Sequence, residues 1–185
     1  MSEAAGSRGP TTTPPRKGAL ERFCDWIDWL NEGAGLFWGA TIILVTLAVL
    51  YEVVARTVFG APTNWGNETT IYLSAMAYLM AGGYALLHRR HVRIDVLYEA
   101  LKPTTRARLD AFTFVFFAAY MLTLIWVGGA DAWNALRIGE TTSTPWNPVI
   151  WPVKAAIPAA GLLLLLQGVS NLLRDLGRVP GGIAR

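Results

Sequence analysis

The chain is poor in cysteine and histidine, which excludes several kinds of active site. Cys24 is the only cysteine among 185 residues, so an intramolecular disulfide, a thiolate metal cluster and a CxxC redox pair are ruled out. His88 and His91 are the only histidines, and both lie at the end of one apolar run. Bis-histidine haem ligation takes one histidine from each of two facing helices, and a zinc site needs further ligands. The sequence therefore predicts no cofactor, no metal and no enzymatic activity.

Charged residues are also scarce, and their absence is concentrated in four long runs. They form 16% of the chain, against about 25% in soluble domains. Each run is roughly 20 residues long, which crosses a hydrocarbon core of about 30 Å as a helix. A soluble bundle of this length has too little chain to cover four such helices. We predict an all-α membrane protein whose four transmembrane helices occupy approximately residues 33–55, 68–88, 110–130 and 150–173.

Lysine and arginine are distributed unequally between the two sides of the predicted spans. They occur in the head, in the tail and between the second and third spans, whereas residues 58–67 have none and residues 131–148 have only Arg137. Cytoplasmic loops hold the positive excess, so we expect both termini and the middle loop to be cytoplasmic. The basic residues thus reflect membrane topology, and no nucleic-acid-binding patch is predicted.

Outside the spans, two short amphipathic segments are expected to form interfacial helices. In residues 20–32, apolar residues recur at helical spacing between acidic ones; this helix lies in the membrane interface or packs on protein. Residues 92–101 form the second helix, closed by Pro103. The predicted divisions are a disordered head at 1–18, a membrane domain at 19–176 and a cytoplasmic tail at 177–185.

The interiors of the predicted spans hold no ionisable side chain. A channel or a self-sufficient transporter needs polar groups at the middle of the membrane, so substrate translocation through this chain alone is not expected. We interpret Gln167 as a contact between helices, and Lys154 as a residue that snorkels to the interface at the start of the fourth span. Gly35 and Gly39, one turn apart, are candidates for close helix approach.

Three charged residues lie at the ends of the first two spans. Glu52 and Arg56 are four residues apart in the order that favours pairing on a helix. Glu68 begins the second span after a tight connection that contains Gly60, Pro62 and Gly66. We predict that Glu52, Arg56 and Glu68 form one cluster, because pairing lowers the cost of partly burying each charge. The cluster is a clamp between the two spans, a socket for a partner protein, or both.

The same region carries a family resemblance, in the pieces Arg56-x-x-Phe59, Trp65-x-x-Glu68, Tyr72-Leu73 and, one span later, Arg89 with His91-Val92-Arg93-Ile94-Asp95. In order and spacing they resemble the DctQ family, the small membrane subunit of tripartite ATP-independent periplasmic (TRAP) transporters.

The resemblance implies a subunit of the bacterial inner membrane that scaffolds a large permease subunit. The large subunit would carry out sodium-coupled uptake of an organic acid that a periplasmic binding protein delivers. It also implies that Arg56, Trp65, Glu68 and Tyr72, with Glu52, act as partner contacts or as a structural clamp, and that Arg89, His91 and Asp95 order the inner loop. The alternatives are the small four-span subunit of a tripartite tricarboxylate transporter, a membrane anchor of a respiratory enzyme, and a free-standing ligand-binding bundle.

Overall fold

Four long helices make up the part of the chain that the structure describes, residues 18–88 and 103–175. In this computed structural model, α1 is Ala19–Val58, α2 is Gly66–Leu87, α3 is Pro103–Ile138 and α4 is Trp151–Asp175. All four are long and apolar enough to cross a membrane. The prediction of an all-helical protein with four candidate spans is therefore confirmed.

Helix α1 is much longer than the predicted first span. It has 40 residues, which at about 1.5 Å per residue gives a length of about 60 Å. The predicted separate interfacial helix at residues 20–32 is wrong, because this segment continues into the span without a break. No proline interrupts it, and its side chains Cys24, Ile27, Asp28 and Asn31 are buried. Packing on protein, the other possibility that the sequence left open, is what the structure has.

Glycines in left-handed backbone conformation end both α1 and α3. Gly60 has φ 62° and Gly139 has φ 63°, a region that costs glycine nothing and other residues more. Ala61 N then donates to Ala55 O (3.1 Å) and Glu140 N to Ala135 O (2.9 Å), which satisfies carbonyls of each last turn. These two stops turn the chain back into α2 and into the connection before α4.

Pro103 is the first residue of α3. A proline suits this position because the first turn of a helix leaves its N–H groups unpaired in any case. The predicted second interfacial helix falls at residues 92–101, outside the described residues. So do Arg89, His91 and Asp95, the predicted head up to residue 17, and the tail from residue 176.

The helices lie side by side in the order α1, α2, α4, α3, with a smaller contact between α1 and α4. Close approach of α3 and α4 depends on glycine: a Cβ added to Gly168 would lie 2.6 Å from Phe117 Cε1, and one added to Gly161 would lie 2.9 Å from Leu124 Cδ2. Small residues at such positions let helix backbones pack closely in membranes. Helix α4 is consequently the most enclosed of the four candidate spans.

Apolar side chains cover the outward faces, above all on α1 and α3. Helix α1 buries a narrow stripe that includes Thr41, Val45 and Ala55, and the rest of its apolar surface is exposed. On α3, Trp126 is 80% exposed. Exposed surfaces of this extent are covered by lipid or by another protein. Four tryptophans are exposed as well: Trp65, Trp133, Trp146 and Trp151.

Candidate functional site

Polar side chains gather at the two ends of the helices. We call the end where α1 and α3 finish and α2 and α4 begin the hairpin end, and the opposite end, where α1 begins and α4 finishes, the terminus end. At the hairpin end, Glu52 Oε1 accepts a hydrogen bond from Arg56 Nη2 at 3.1 Å. The predicted pairing of Glu52 with Arg56 is confirmed.

The second oxygen of Glu52 fixes the connection between α1 and α2. Glu52 Oε2 accepts a hydrogen bond from the Thr63 hydroxyl and another from the Thr63 backbone N–H at 3.3 Å. The Thr63 hydroxyl in turn accepts from Gly66 N at 3.1 Å, one of the first N–H groups of α2. A carboxylate near the end of α1 therefore orders the start of α2, which supports the clamp interpretation of these residues.

Glu68 belongs to a different contact, so its predicted pairing with Arg56 is wrong. In the described part of the chain no ion pair joins the two; Glu68 Oε2 instead accepts a hydrogen bond from the Thr142 hydroxyl at 3.3 Å. The reason is the helical rotation of about 100° per residue. Gly66 and Thr70 of α2 face α1 around a shared groove, and Glu68, two residues from each, points toward the connection between α3 and α4.

The other two predicted residues of the hairpin end occupy different positions. The Trp65 ring stacks on Tyr51 of α1, with ring centroids 5.9 Å apart and an interplanar angle of 22°. Tyr72 lies one turn beyond Glu68, and its buried hydroxyl has no hydrogen-bond partner within the described residues. Trp65 therefore joins α1 to the start of α2. A role for either residue in partner binding stays a prediction.

The connection between α3 and α4, residues 139–150, is an ordered loop. Thr141 and Val149 form an isolated antiparallel bridge. Thr142 N donates to Pro148 O at 3.2 Å and Ile150 N to Glu140 O at 3.0 Å. Because Thr142 also donates to Glu68, the loop is attached to α2 as well as to the two helices that it connects.

Lys154 anchors this loop by ion pairs. Its Nζ lies 2.7 Å from Glu140 Oε2 and 3.2 Å from Asp131 Oδ1. The Lys154 ammonium group thus binds two carboxylates of the same chain, and its snorkelling toward the interface stays a prediction. Glu140 follows the end of α3, and Asp131 lies within α3. Lys154 therefore joins α4 to α3 and to the loop that follows α3.

A groove of about 240 Å³ opens between α1 and α2 at the hairpin end. Its lining is apolar toward the middle of the helices, at Val49 and Val53, and polar toward the end, at Arg56 and Asn67. The Arg56 side chain is 65% exposed, and only its Nη2 is engaged by Glu52. The guanidinium thus keeps hydrogen-bond donors free for a group outside this chain.

A second polar cluster, which the sequence did not reveal, occupies the terminus end. Asp28 is fully buried and receives Arg174 Nη2 at 2.7 Å, Arg174 Nη1 at 3.0 Å and Gln167 Nε2 at 3.1 Å. Asn31 Nδ2 donates to Gln167 Oε1 at 2.9 Å. Asn171 Nδ2 donates to Leu86 O of α2 at 3.2 Å. We call Asp28, Asn31, Gln167, Asn171 and Arg174 the terminus network.

The terminus network joins three helices through paired rows of polar residues. The prediction that Gln167 is a contact between helices is confirmed. The sequence analysis did not predict the pairing of Asp28 with Arg174. The sequence does contain a signal for this contact, because two sets of four residues have the same spacing and each set lies on one face of its helix. The first set is Cys24, Ile27, Asp28 and Asn31, and the second is Gln167, Ser170, Asn171 and Arg174.

The polar clusters at the two ends connect helices of the same chain to each other through hydrogen bonds and ion pairs. Within residues 18–88 and 103–175, no group of three or more histidine, cysteine, aspartate or glutamate side chains is arranged to hold a metal ion. The carboxylates of Glu52, Glu140 and Asp28 are engaged by a hydroxyl, an ammonium and a guanidinium group of the same chain.

Comparison with known families identifies the group to which this architecture belongs. The family model for the DctQ component of tripartite ATP-independent periplasmic transporters matches residues 45–178, more than two thirds of the chain. The chain belongs to the DctQ family. A search of curated proteins finds no match.

Membership of the DctQ family fixes the general role of the chain. It is the small membrane subunit of a TRAP transporter and a multi-pass membrane protein, and it is not an enzyme. The family match selects this assignment over the tricarboxylate-transporter subunit, the respiratory anchor and the free-standing ligand binder. The matched region begins within α1 and contains the hairpin end, α2, α3 and α4.

Proposed function

We propose that this DctQ subunit is a scaffold for the large permease subunit of its transporter. The large subunit carries the substrate and sodium sites and takes up an organic acid, which a periplasmic binding protein delivers. The observation that carries the proposal is the placement of charged groups: residues 33–51, 69–87, 111–130 and 155–173 contain no aspartate, glutamate, lysine, arginine or histidine, and the exposed surface of these stretches is mainly apolar. Such a subunit supports a neighbouring helix bundle without conducting a solute itself.

In the proposed orientation, the hairpin end faces the periplasm and the terminus end faces the cytoplasm. The distribution of lysine and arginine supports this assignment. It places residues 1–18 and 177–185 in the cytoplasm of a bacterial cell, with the chain embedded in the inner membrane. Arg89, His91 and Asp95 then lie on the cytoplasmic side, where we propose that they order the loop between α2 and α3.

The groove between α1 and α2 is the proposed contact point for the large subunit at the periplasmic side. Arg56 is its exposed cation, and its free donors suit a carboxylate or a backbone carbonyl of the partner. Trp65, 40% exposed beside the groove, adds the kind of aromatic surface that is enriched at protein interfaces. Clamp and socket are compatible here, because Glu52 orders the connection with one oxygen and positions Arg56 with the other.

The experiment is co-purification of the tagged subunit from its native membranes in mild detergent. The wild-type chain is expected to elute with a large polytopic permease at near-equal stoichiometry. Arg56→Gln removes the exposed cation and is expected to reduce the recovered permease several-fold. Arg137→Gln, an exposed arginine of α3 without a described partner contact, is the matched control and should recover the wild-type amount.

Two outcomes would contradict parts of this proposal separately. A wild-type chain that elutes alone and stays stable would remove the scaffold role. Equal recovery by Arg56→Gln and the wild type would leave the scaffold role and remove the groove as its contact point. The substrate follows from the binding protein that is identified together with the permease.

A further inference from the structure

One row of residues runs along most of α1 and changes its surroundings halfway. Its members follow one another at steps of three or four residues, which keeps them within about 100° of arc on a helix. They are Cys24, Asp28, Asn31, Gly35, Gly39, Ile42, Thr46, Val49, Val53 and Arg56. We call this set the α1 stripe. Steps of three and four are the pattern with which one helix packs along another.

The first half of the α1 stripe is covered by helices of the same chain. Asp28 and Asn31 are fully buried and hydrogen-bonded to side chains of α4. At Gly35 the cover changes to α2, because an added Cβ would overlap the side chain of Tyr84. In this half the stripe therefore serves as a surface for packing against other helices.

The second half of the α1 stripe is open. A Cβ added to Gly39 meets nothing within 4 Å, and Ile42, Val49 and Val53 are 37%, 42% and 53% exposed. The order of the helices explains the change. Helix α3 packs on α4 and makes no comparable contact with α1 in the part of the chain that the structure describes. The four helices thus do not close around this half of the stripe.

The open half differs in composition from the opposite side of α1. The opposite side exposes large flexible residues such as Leu44 and Leu47. The open half has a glycine, Gly39, and β-branched residues. The Thr46 hydroxyl donates to Ile42 O of the same helix at 2.9 Å, so it needs no further partner. Glycine and threonine are enriched where membrane helices pack closely, and β-branched side chains have little rotamer freedom to lose.

The open half ends in the groove between α1 and α2. Val49, Val53 and Arg56 line this groove together with residues of α2, so a partner on the stripe would contact both helices. Arg56 provides an exposed guanidinium, of which Glu52 engages only Nη2. From Gly39 to Arg56 the stripe is about 25 Å long, close to the thickness of a hydrocarbon core, about 30 Å. An apolar partner of this length with a hydrogen-bond acceptor at one end matches a transmembrane helix.

We propose that the open half of the α1 stripe is the binding surface for one transmembrane helix of the large permease subunit. Such a helix is available only if the scaffold role proposed above is correct. It packs along Gly39 to Arg56 as α4 packs along Asp28 and Asn31. It extends the contact from the groove at the hairpin end to the middle of the membrane, and it presents a carboxylate or carbonyl oxygen to Arg56.

Two neighbouring residues of α1 test this surface with the same added side chain. Gly39 and Ala40 are both exposed at nearly the same depth, and the helical rotation puts Ala40 on the opposite side, with Leu44 and Leu47. Tagged full-length Gly39→Leu and Ala40→Leu chains are purified from native membranes in mild detergent. We expect Gly39→Leu to recover about tenfold less permease than the wild type, because its side chain fills the place of the partner helix. Ala40→Leu should recover the wild-type amount.

Two further measurements separate loss of binding from loss of folding. The melting temperature of the purified Gly39→Leu chain should be no lower than that of the wild type, since nothing in its own chain lies against Gly39. In otherwise wild-type chains, the photoreactive residue p-benzoylphenylalanine replaces Val49 or, as the control, Leu47. We expect a crosslink to the permease from position 49 and none from position 47. These crosslinks decide the question if Gly39→Leu does not fold.

The outcomes distinguish this surface from the scaffold role. A wild-type chain that elutes without a permease would remove the scaffold role and the proposed surface with it. If the wild type recovers the permease and Gly39→Leu recovers as much as Ala40→Leu, the scaffold role stands and the surface is wrong. A crosslink from position 49 to a second copy of this chain, or to no protein, would likewise contradict the proposed partner.

Discussion

At the scale of single residues, the buried pair of Asp28 and Arg174 gives the largest expected effect. Asp28 is fully buried and the Arg174 side chain is 7% exposed. Removing one partner of a buried ion pair leaves an uncompensated charge and typically costs about 3–5 kcal/mol. We expect Arg174→Gln to lower the free energy of unfolding by that order, measured by denaturation of the purified chain in detergent.

The matched variants separate the ion pair from simple loss of an arginine. Arg137→Gln changes an exposed arginine of α3 and should leave the free energy of unfolding within about 0.5 kcal/mol of the wild type. The double variant Asp28→Asn with Arg174→Gln should recover part of the loss, since no charge is left buried. A loss of the same size in Arg137→Gln would contradict the assignment.

Glu68 contacts Thr142 and is not paired with Arg56, and double-mutant cycles distinguish these two possible partners. The cycle of Glu68→Gln with Thr142→Val should show a coupling energy, because the two side chains share a hydrogen bond at 3.3 Å. The cycle of Glu68→Gln with Arg56→Gln should show none, since these residues are not paired. Thermal unfolding of the four chains in each cycle provides the measurement, and a clear coupling between Arg56 and Glu68 would contradict the structure.

The contrast between Glu52 and Glu68 shows which contacts a sequence can reveal. The pairing of Glu52 with Arg56 is local, four residues on one helix, and follows from spacing alone. The partner of Glu68 is 74 positions away and lies in a loop whose position depends on how α3 and α4 pack. The Lys154 ion pairs were missed for the same reason, because Asp131 is brought near by the packing of two helices.

At the scale of helices, Gly35 and Gly39 provide a matched comparison on one face of α1. A Cβ added to Gly35 would overlap the Cβ, Cγ and Cδ2 atoms of Tyr84 on α2, whereas one added to Gly39 meets nothing within 4 Å. Overpacking of this kind costs about 1–3 kcal/mol. We expect Gly35→Ala to lower the melting temperature of the chain, and Gly39→Ala to leave it unchanged or raise it, because alanine is the better helix former.

Both variants are measured by thermal unfolding in the same detergent. Equal melting temperatures would mean that α1 and α2 do not approach closely at Gly35. The sequence marked both glycines as candidates for helix approach and could not choose between them, since they lie one turn apart. The two glycines differ in whether the neighbouring helix has a large side chain opposite them, and this depends on how the two helices pack.

The same limit explains why the number of helices was predictable and the length of α1 was not. The four uncharged runs are visible in the sequence, and each is long enough to cross the hydrocarbon core of a membrane as a helix. Where a helix ends beyond the apolar run depends on what it packs against. The first turns of α1 have an amphipathic sequence pattern. In the structure Asp28 and Asn31 are buried against α4, and these turns are part of one continuous helix.

At the scale of the whole molecule, the proposed orientation is tested by labelling at the two ends. Cys24 is the only cysteine and is buried, so Cys24→Ala gives a background without thiols. A single cysteine is then placed at Asn64, exposed in the connection between α1 and α2, or at Gly18, exposed before α1. Gly18 tolerates the change sterically, as an added Cβ meets nothing within 4 Å.

A membrane-impermeant maleimide is applied to intact spheroplasts and, separately, to lysed ones. We expect the Asn64→Cys chain to be labelled in both preparations and the Gly18→Cys chain only after lysis, because the proposed orientation, which follows from the excess of positive residues, puts the terminus end in the cytoplasm. The lysed sample is the control for reactivity at each site. The reverse pattern would invert the topology, and it would then place the groove at Arg56 on the side away from the periplasmic binding protein.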